Sequence, residues 1–454
     1  MKWLISFLSL AGWTGVFLAD DAKPGGTESP SIVPPNIVLI LADDLGWGDV
    51  GFNGRSEWGT PHLDRLAAEG MVLKRCYSAG VVCAPSRAAL MTGRYTIHCG
   101  VSSNSADLPK SERTLAEALK PHGYATAMFG KWHGGKPGPG ETESRHPLDL
   151  GFDEFIGYRE ARHAWEHFPK ELWFGREKKP FAGFAAARFT DEGIAFIERH
   201  RDKRFFLYLP YTQVHLHIEA PEEDLAPFRG KFPEKNAAKP LRATYAAMVS
   251  RLDKEVGRVL AALDRLTLAE RTLVIFTSDH GATFESGNQG TSAFHDSNQP
   301  FRGQKRTLWE GGIRVPTALR WPGRIPAGRI SNEVFHLTDV MPSCLAAGGI
   351  PADPAWKLDG INMLPAWCEQ NRPPSRTLFW EWRAEGNRQL AAMRGDLKLV
   401  ITGDNRPELF NVQTDPAERR SLTHEFPKLA AEMNRELQSW IETESEESKA
   451  GHRP

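Results

Sequence analysis

The sequence predicts an α/β domain with a large, mostly parallel sheet flanked by helices, followed by a small antiparallel sheet with a helix. Apolar runs of strand length alternate with segments of helical spacing over most of the chain. Two of these runs, 36–41 and 273–277, are almost continuously apolar, as strands buried on both faces are. From about residue 342, short segments separated by Gly, Pro and Asp follow instead, which favours antiparallel strands.

The chain begins with a short apolar segment that is typical of a secretory signal. A single lysine, Lys2, precedes an apolar run from Leu4 to Ala19, which is short for a membrane span. We therefore expect a signal peptide over 1–19, a linker over 20–35, a secreted or periplasmic enzyme and no membrane span in the mature chain. An uncleaved N-terminal anchor is the alternative.

The main domain is expected over 36–341. Thr60 and Pro61 provide an N-cap and a proline at the first helical position, and Gly70 ends that helix. Further strands are predicted at 125–129 and 205–209, and further helices at 87–93, 114–120 and 245–263.

A C-terminal subdomain is expected over 342–445, with a solvated, frayed acidic tail over 446–454. Strands are predicted at 377–382, 390–393, 397–401 and 408–412, and a helix at 427–442. The formal net charge of −1 excludes a strong nucleic-acid footprint or a basic membrane-binding surface. The five cysteines show no C-x-x-C or zinc spacing, and their odd number leaves at least one thiol unpaired.

Acidic residues follow both of the strongly apolar strands. Asp43 and Asp44 come after the first strand, and Asp279 and His280 come after the strand at 273–277. Ligands of open α/β sheets bind beyond the carboxyl ends of the strands, and carboxylate oxygens suit a hard cation such as Ca²⁺ or Mg²⁺. Turns and helix caps are the alternative role for such an acidic pair.

Cys83 lies at the start of a predicted helix, where free backbone N–H groups favour an anion. This position suits a nucleophile that attacks a negatively charged ester, although a buried structural cysteine is the simpler alternative. Lys131 and His133, framed by glycines after a strand, can point into one cleft. His215 or His217, and Lys305 in a glycine-containing loop, complete the set of candidate polar side chains.

Two sequence blocks resemble the sulfatase family. Cys83-x-Pro85-Ser86-Arg87 followed by Leu-x-Thr-Gly-Arg at 90–94 resembles its signature, and the segment 36–46, Asn-Ile-x-Leu-Ile-x-Ala-Asp-Asp-x-Gly, resembles its metal motif. Gly-Lys-Trp-His at 130–133 and the segments at 303–316, 321–323, 339–343 and 415–418 resemble later family motifs. The similarity is greatest to the arylsulfatases and N-acetylgalactosamine sulfatases.

The resemblance implies an alkaline-phosphatase-like fold and hydrolysis of sulfate esters. It implies that a formylglycine-generating enzyme converts Cys83 to formylglycine (3-oxoalanine), beside a Ca²⁺ ion. The implied metal ligands are Asp43, Asp44, residue 83, Asp279 and His280, the last at a position where many members carry Asn.

The resemblance also implies roles for the remaining candidates. Lys131 would hold the formylglycine diol, His133 would act on its second hydroxyl, and Arg87 would orient residue 83. Lys305 would contact the sulfate, and His215 would protonate the leaving group. His215 is favoured over His217 because Ala220-Pro221 anchors the register, although Val214 and His217 replace two prolines of the family pattern.

The expected substrate is a sulfated carbohydrate, with an aryl sulfate as the alternative. Two predicted loops, 165–173 and 285–302, carry aromatic and polar residues that suit sugar faces and hydroxyls. Two other functions remain open: a phosphate or phosphonate ester hydrolase of the same superfamily, and a non-catalytic binder of sulfated glycans if Cys83 is never modified.

Overall fold

The computed structural model describes residues 34–136, 144–384, 386–403 and 406–450. The predicted signal peptide, most of the predicted linker and residues 451–454 of the predicted tail lie outside the described residues. Across the described ranges, no helix combines the length and apolar character needed to cross a bilayer.

The strands and helices of the described residues are numbered in chain order. The strands are β1 (Asn36–Ala42), β2 (Met71–Tyr77), β3 (Ala125–Gly134), β4 (Glu154–Glu160), β5 (Glu171–Phe174), β6 (Glu177–Pro180), β7 (Phe205–Pro210), β8 (Thr272–Ser278), β9 (Ala318–Arg320), β10 (Arg329–His336), β11 (Thr377–Ala384), β12 (Asn387–Arg394), β13 (Leu397–Thr402) and β14 (Glu408–Asn411). The helices are α1 (Pro61–Ala68), α2 (Cys83–Thr92), α3 (Leu115–Leu119), α4 (Ala185–Arg199), α5 (Glu222–Leu225), α6 (Leu241–Arg265), α7 (Thr291–Phe294), α8 (Glu310–Ile313), α9 (Val340–Ala347), α10 (Leu364–Cys368) and α11 (Pro427–Ala450).

Ten strands form one mixed sheet in the order β10-β2-β9-β8-β1-β7-β3-β4-β5-β6. The central neighbours β8, β1, β7, β3 and β4 run parallel to one another, as do β10 and β2. The pairings of β9 and of the edge hairpin β5–β6 are antiparallel. The predicted large, mostly parallel sheet is therefore confirmed.

Helices cover both faces of this sheet, and the alternation of side chains along β1 explains why. Val38 and Ile40 face the core under α1, α4, α5 and α6, whereas Ile37, Leu39 and Leu41 face the core under α2, α3, α9 and α10. A strand buried on both faces needs apolar residues at every position, which is the pattern that predicted it.

Several boundaries differ from the sequence-based expectation. β3 continues past Phe129 to Gly134, so that Lys131 and His133 lie on the strand rather than in a loop after it. Gly130 permits this path, because its φ is +141° and a Cβ there would lie 2.1 Å from the Pro210 carbonyl oxygen. α11 continues past Glu442 to Ala450, through part of the predicted tail.

The second sheet, β11-β12-β13-β14, is antiparallel throughout, as predicted. One face packs against α11, and the other packs against the chain just before Cys83, including Val81 and Val82. The Trp380 indole also donates a hydrogen bond of 2.8 Å to the Ser78 carbonyl. Residues of α9 and α10 pack in the core of the large sheet instead.

A fully buried ionic cluster joins the two sheets. Lys398 on β13 lies 3.0 Å from a carboxylate oxygen of Glu310, at the start of α8, and 3.0 Å from one of Glu418. Tyr77 and Arg314 also contact Glu310. Burial raises the pKa of Glu418 to about 7 despite its contact with Lys398. Removal of the lysine would leave two buried carboxylates without their shared cation.

We expect Lys398→Met to lower the free energy of unfolding by about 3–5 kcal/mol, the usual cost of breaking a buried ion pair. Urea unfolding followed by tryptophan fluorescence would measure it. Lys428→Ala, at an exposed position on α11, removes the same charge and should change stability by less than about 0.5 kcal/mol. Equal stabilities of the two variants would contradict a structural role for the cluster.

Candidate active site

The candidate residues meet at the carboxyl edge of four adjacent strands. Because β8, β1, β7 and β3 are parallel neighbours, the segments that follow them leave from the same edge. These segments and strand ends carry Asp279 and His280, Asp43 and Asp44, His215, and Lys131 and His133.

Three carboxylates form the base of the site. Asp43 is fixed by backbone hydrogen bonds with the segment after β7, between its N–H and the Gln213 carbonyl and between its own carbonyl and the Val214 N–H. Asp44 has a φ of +62°, and its N–H donates to an Asp279 carboxylate oxygen at 3.2 Å. Side chains of Asp43 and Asp279 fall in one group with Cys83 and His280 whose ligand atoms all lie within 4.8 Å of one another.

Cys83, the first residue of α2, lies at the centre of this group and is 1% exposed. Its Sγ is 3.5 Å from Asp43 Oδ1, 3.4 Å from His280 Nε2 and 3.7 Å from Lys305 Nζ. Burial alone would raise the pKa of the Cys83 thiol, but the charges of Lys131, Lys305 and His280 hold it well below its usual value. The position therefore favours a negatively charged group.

Two buried lysines contact two different carboxylates of the site. Lys131 Nζ donates to Asp43 Oδ2 at 2.6 Å, and Lys305 Nζ contacts both oxygens of Asp44 at 2.8 and 3.1 Å. Burial would lower the pKa of Lys305, but the Asp44 carboxylate and the neighbouring Cys83 raise it instead. Both ammonium groups are therefore placed to neutralise an anion beside residue 83.

Arg87, one turn after Cys83 on α2, ties that helix to the acidic base. Its guanidinium donates to Asp279 Oδ2 at 2.9 and 3.1 Å, and to the Lys131 carbonyl at 3.0 Å. It also lies 3.4 Å from Asp43. These contacts fix the direction of α2, and with it the direction in which residue 83 points.

The histidines occupy three different environments. The pKa of His280 is raised to about 9, because the nearby Asp279 and Cys83 charges outweigh the effect of burial. His133 is buried, its ring nitrogens have no hydrogen-bond partner among the described residues apart from the neighbouring Cys83 thiol, and burial lowers its pKa. His215 is buried with Nε2 3.9 Å from Asp44 Oδ2, whereas His217 is exposed.

Two residues that support His215 were not recognised as a pair from the sequence. His167 hydrogen-bonds through its ring to the His215 carbonyl at 3.1 Å and to the Thr212 hydroxyl at 3.2 Å. The Trp165 carbonyl accepts the N–H of His217 at 2.8 Å. No sequence motif marks His167. Its partners lie about 45 residues later in the chain, so that the local sequence does not reveal them.

The donor set fits a hard divalent cation. Asp43, Asp44 and Asp279 are at most 1% exposed and concentrate three carboxylates around one point. Burial, together with the Asp43 charge, raises the pKa of Asp279. Carboxylate oxygens gathered in this way are the ligands that a hard divalent ion takes. The same cluster holds two ammonium groups, those of Lys131 and Lys305, which suits the binding and hydrolysis of an anionic ester.

The chain matches known proteins along most of its length. The sulfatase family model matches residues 35–350, and the model described as N-sulphoglucosamine sulphohydrolase, C-terminal, matches residues 302–446. Steryl-sulfatase of Mus musculus is 33% identical over 97% of this chain and 85% of its own length. N-acetylgalactosamine-6-sulfatase of Homo sapiens is 34% identical over 82% of this chain and 72% of its own length.

A solved structure has the same fold. Ps i-CgsB in complex with k-i-k-neocarrahexaose superposes with a TM-score of 0.82 at 29% identity, covering 90% of this chain and 92% of that chain. The family match covers well over half of the chain and includes every residue of the cluster described above. This chain belongs to the sulfatase family and is a sulfuric ester hydrolase.

Proposed function

We propose that this enzyme removes sulfate from a sulfated carbohydrate by means of a formylglycine made from Cys83 and a bound Ca²⁺. The observation that carries the proposal is the position of Cys83, buried between Asp43, His280 and Lys305 at the start of α2. We further propose export to the periplasm or the cell exterior, supported by the apolar segment from Leu4 to Ala19.

Residue 83 requires the modification because cysteine has no second hydroxyl. As a hydrated aldehyde it would offer one hydroxyl whose oxygen attacks sulfur and displaces the sugar oxygen. Loss of the proton from the second hydroxyl would then re-form the aldehyde, as the carbon–oxygen bond to the sulfate breaks and sulfate leaves. The maturation partner would be a formylglycine-generating enzyme acting on the segment that begins at Cys83. Arg87 would act as a positioning residue, since its contacts with Asp279 and the Lys131 carbonyl orient α2.

Asp43, Asp44 and Asp279 would hold the Ca²⁺ together with residue 83, and His280 would be the fifth group around it. The ion would act as a Lewis acid that withdraws charge from the sulfate oxygens. Lys131 and Lys305 would neutralise the remaining oxygen charges, because their ammonium groups are buried beside Asp43 and Cys83, respectively.

The positions of two histidines, His215 and His133, suggest their roles in proton transfer. His215 would protonate the leaving oxygen of the sugar, because it faces the cluster from the segment after β7. His133 would accept the proton of the remaining hydroxyl on residue 83, since its buried ring nitrogens have no competing partner among the described residues. Its lowered pKa keeps it neutral and able to accept that proton.

Trp165 supports a sugar as the leaving group. Its partly exposed ring lies with its centroid 6.5 Å from that of His215, and Arg162 lies over it at 5.8 Å. An aromatic face beside the proton donor suits the apolar face of a sugar ring. Among similar proteins, one is an N-acetylgalactosamine-6-sulfatase and another binds neocarrahexaose.

Cys83→Ala should abolish turnover of sulfate esters while leaving the circular dichroism spectrum and melting temperature unchanged. The Ala side chain cannot be converted to an aldehyde and offers no nucleophile. Mass spectrometry of the wild-type peptide that spans residue 83 should give the aldehyde mass in place of the thiol. Near wild-type activity of the folded variant would overturn the assignment, and a purely thiol peptide in active enzyme would overturn the formylglycine.

Asp279→Asn should weaken Ca²⁺ binding by about 10- to 100-fold or more, because it removes one of three clustered carboxylate charges. Calorimetric titration of chelator-treated enzyme would measure the affinity. Asp202→Asn, at an exposed position, is the matched control and should bind as wild type does. Unchanged affinity in Asp279→Asn, or restoration of full activity without any divalent ion, would contradict the proposed site.

His215→Ala should lower kcat on a sugar sulfate by about 10²- to 10⁴-fold, the range for loss of a general acid. On p-nitrophenyl sulfate the loss should be much smaller, because nitrophenolate leaves without a proton. His217→Ala is the matched control and should stay within about threefold of wild type. The reverse ranking of the two variants would transfer the role to His217.

Trp165→Ala should lower kcat/KM on sulfated saccharides by about two- to tenfold, the free energy of one aromatic contact. The loss should be smaller in Trp165→Phe and absent on p-nitrophenyl sulfate. A panel of sulfated saccharides, p-nitrophenyl sulfate and p-nitrophenyl phosphate would measure this with each enzyme. Turnover of aryl sulfate with no saccharide hydrolysed would exclude the carbohydrate substrate, and faster turnover of the phosphate would exclude sulfate as the preferred ester.

A further inference from the structure

A cavity of about 480 Å³ lies between the start of α6 and the loop that leads into α7. Its lining includes Lys235, Lys239 and Arg242 on one side, and Ser286, Gln289 and Thr291 on the other. None of these residues belongs to the cluster around Cys83. The cavity is therefore a separate feature of the same molecule.

The chain itself places this cavity near the active site. Ser286 follows His280 by six residues, so that even a fully extended chain would separate them by at most about 20 Å. On the same loop, Gly287 packs against the side chain of Leu216, at 3.4 Å from a Cβ built on the glycine. Leu216 is the neighbour of His215, the proposed proton donor. A ligand of several sugar units could therefore occupy both places.

The cavity carries an excess of positive charge. Lys235 and Lys239 are exposed and form no ion pair with any residue that the structure describes. The one lining acid, Glu234, accepts hydrogen bonds from the backbone N–H groups of Arg242 and Ala243 at 3.2 and 2.8 Å, which caps α6. The lining therefore holds three cationic side chains against one carboxylate, and that carboxylate is fixed at the start of the helix.

Arg242 and the polar side chains opposite complete a surface suited to a charged sugar. The Arg242 guanidinium donates to the Pro233 carbonyl and lies 3.7 Å over the ring of Phe294, so that this cation is held in place. Across the cavity, the Ser286 hydroxyl and the Gln289 amide form no side-chain hydrogen bond with the described residues. They can therefore pair with sugar hydroxyls at little cost.

We propose that this cavity binds a second anionic group, a sulfate or a carboxylate, on a sugar unit of the same chain that presents its sulfate ester to residue 83. The inference rests on the proposed function and specifies its substrate as an oligosaccharide with more than one acidic group. Binding energy from the remote unit then places the ester in the active site. A small aryl sulfate carries no second anionic group, so it gains nothing from the cavity.

The test measures binding apart from turnover. Calorimetry would give the Kd of k-i-k-neocarrahexaose and of a chondroitin 6-sulfate hexasaccharide for Cys83→Ala enzyme, with and without Lys235→Ala and Lys239→Ala. We expect the double lysine substitution to raise the Kd of at least one hexasaccharide by about 10-fold or more. It should also reduce the salt dependence of that Kd. Lys428→Ala, the exposed control on α11, should leave the Kd within about twofold.

Turnover separates this inference from the function on which it rests. With Cys83 intact, the lysine variant should hydrolyse p-nitrophenyl sulfate at the wild-type kcat/KM and lose about 10-fold on the hexasaccharide. Desulfated and uronate-containing hexasaccharides would distinguish sulfate from carboxylate as the bound group.

Binding that is unaffected by the double lysine substitution, or absent for every hexasaccharide, overturns the cavity assignment even if sulfate esters are hydrolysed. Inactivity of wild-type enzyme on every sulfate ester defeats the proposed function instead, whatever the binding data show.

Discussion

Charge balance around three buried carboxylates is the constraint on which the rest of the site depends. Asp43, Asp44 and Asp279 are buried at the carboxyl ends of β1 and β8, and each has a carboxylate oxygen within 4.8 Å of the Cys83 sulfur. Such a concentration of negative charge persists only where cations are held against it. Lys131, Lys305 and Arg87 supply those charges from three separate parts of the chain, and each contacts one of the carboxylates directly. Residue 83 lies among these same side chains, because Asp43 and Lys305 are its neighbours. The charge pairs that neutralise the acids therefore also set the environment of residue 83.

The fold supplies that arrangement with few adjustable parts. Four parallel strands bring the acidic and basic segments to one edge, and Gly130 lets β3 approach β7 closely enough for Lys131 and His133 to stay on the strand. The small C-terminal sheet contributes from outside by packing against the residues before Cys83. The buried contacts of Lys398 with Glu310 and Glu418 help to hold the two sheets together. The second sheet is thus part of what positions residue 83, the proposed nucleophile, although none of the described residues of that sheet reaches the cluster.

The residues proposed for catalysis and those proposed for substrate selection lie on different kinds of structural element. The groups proposed to act on sulfur are buried and held by strand ends and α2, whereas Trp165, Lys235 and Lys239 lie on or near surface loops. The His215 segment connects the two, with Trp165 on one flank and the loop at 286–291 on the other. Loops of this kind vary without disturbing the sheet, which is how one catalytic framework can serve many sulfate esters. A remote anion site would make length and charge of the glycan part of that selection.

The sequence alone determined the fold class, the family and most of the clustered residues, because these depend on local patterns. Continuous apolar runs predicted β1 and β8, and short motifs marked Asp43, Cys83, Lys131 and Asp279. The extension of β3 to Gly134 was not predicted, since it depends on pairing with β4 and on the close approach of Gly130 to Pro210. The continuation of α11 to Ala450 was not predicted either. Short strands such as β6, with four exposed residues, carry no alternation to detect. Only the tertiary structure placed His215 by Asp44 and left His217 exposed, brought His167 against the His215 carbonyl, and opened a cavity between α6 and the loop at 286–291. These are contacts between segments far apart in the chain, and their distances follow from the packing of the whole sheet rather than from any local run of residues.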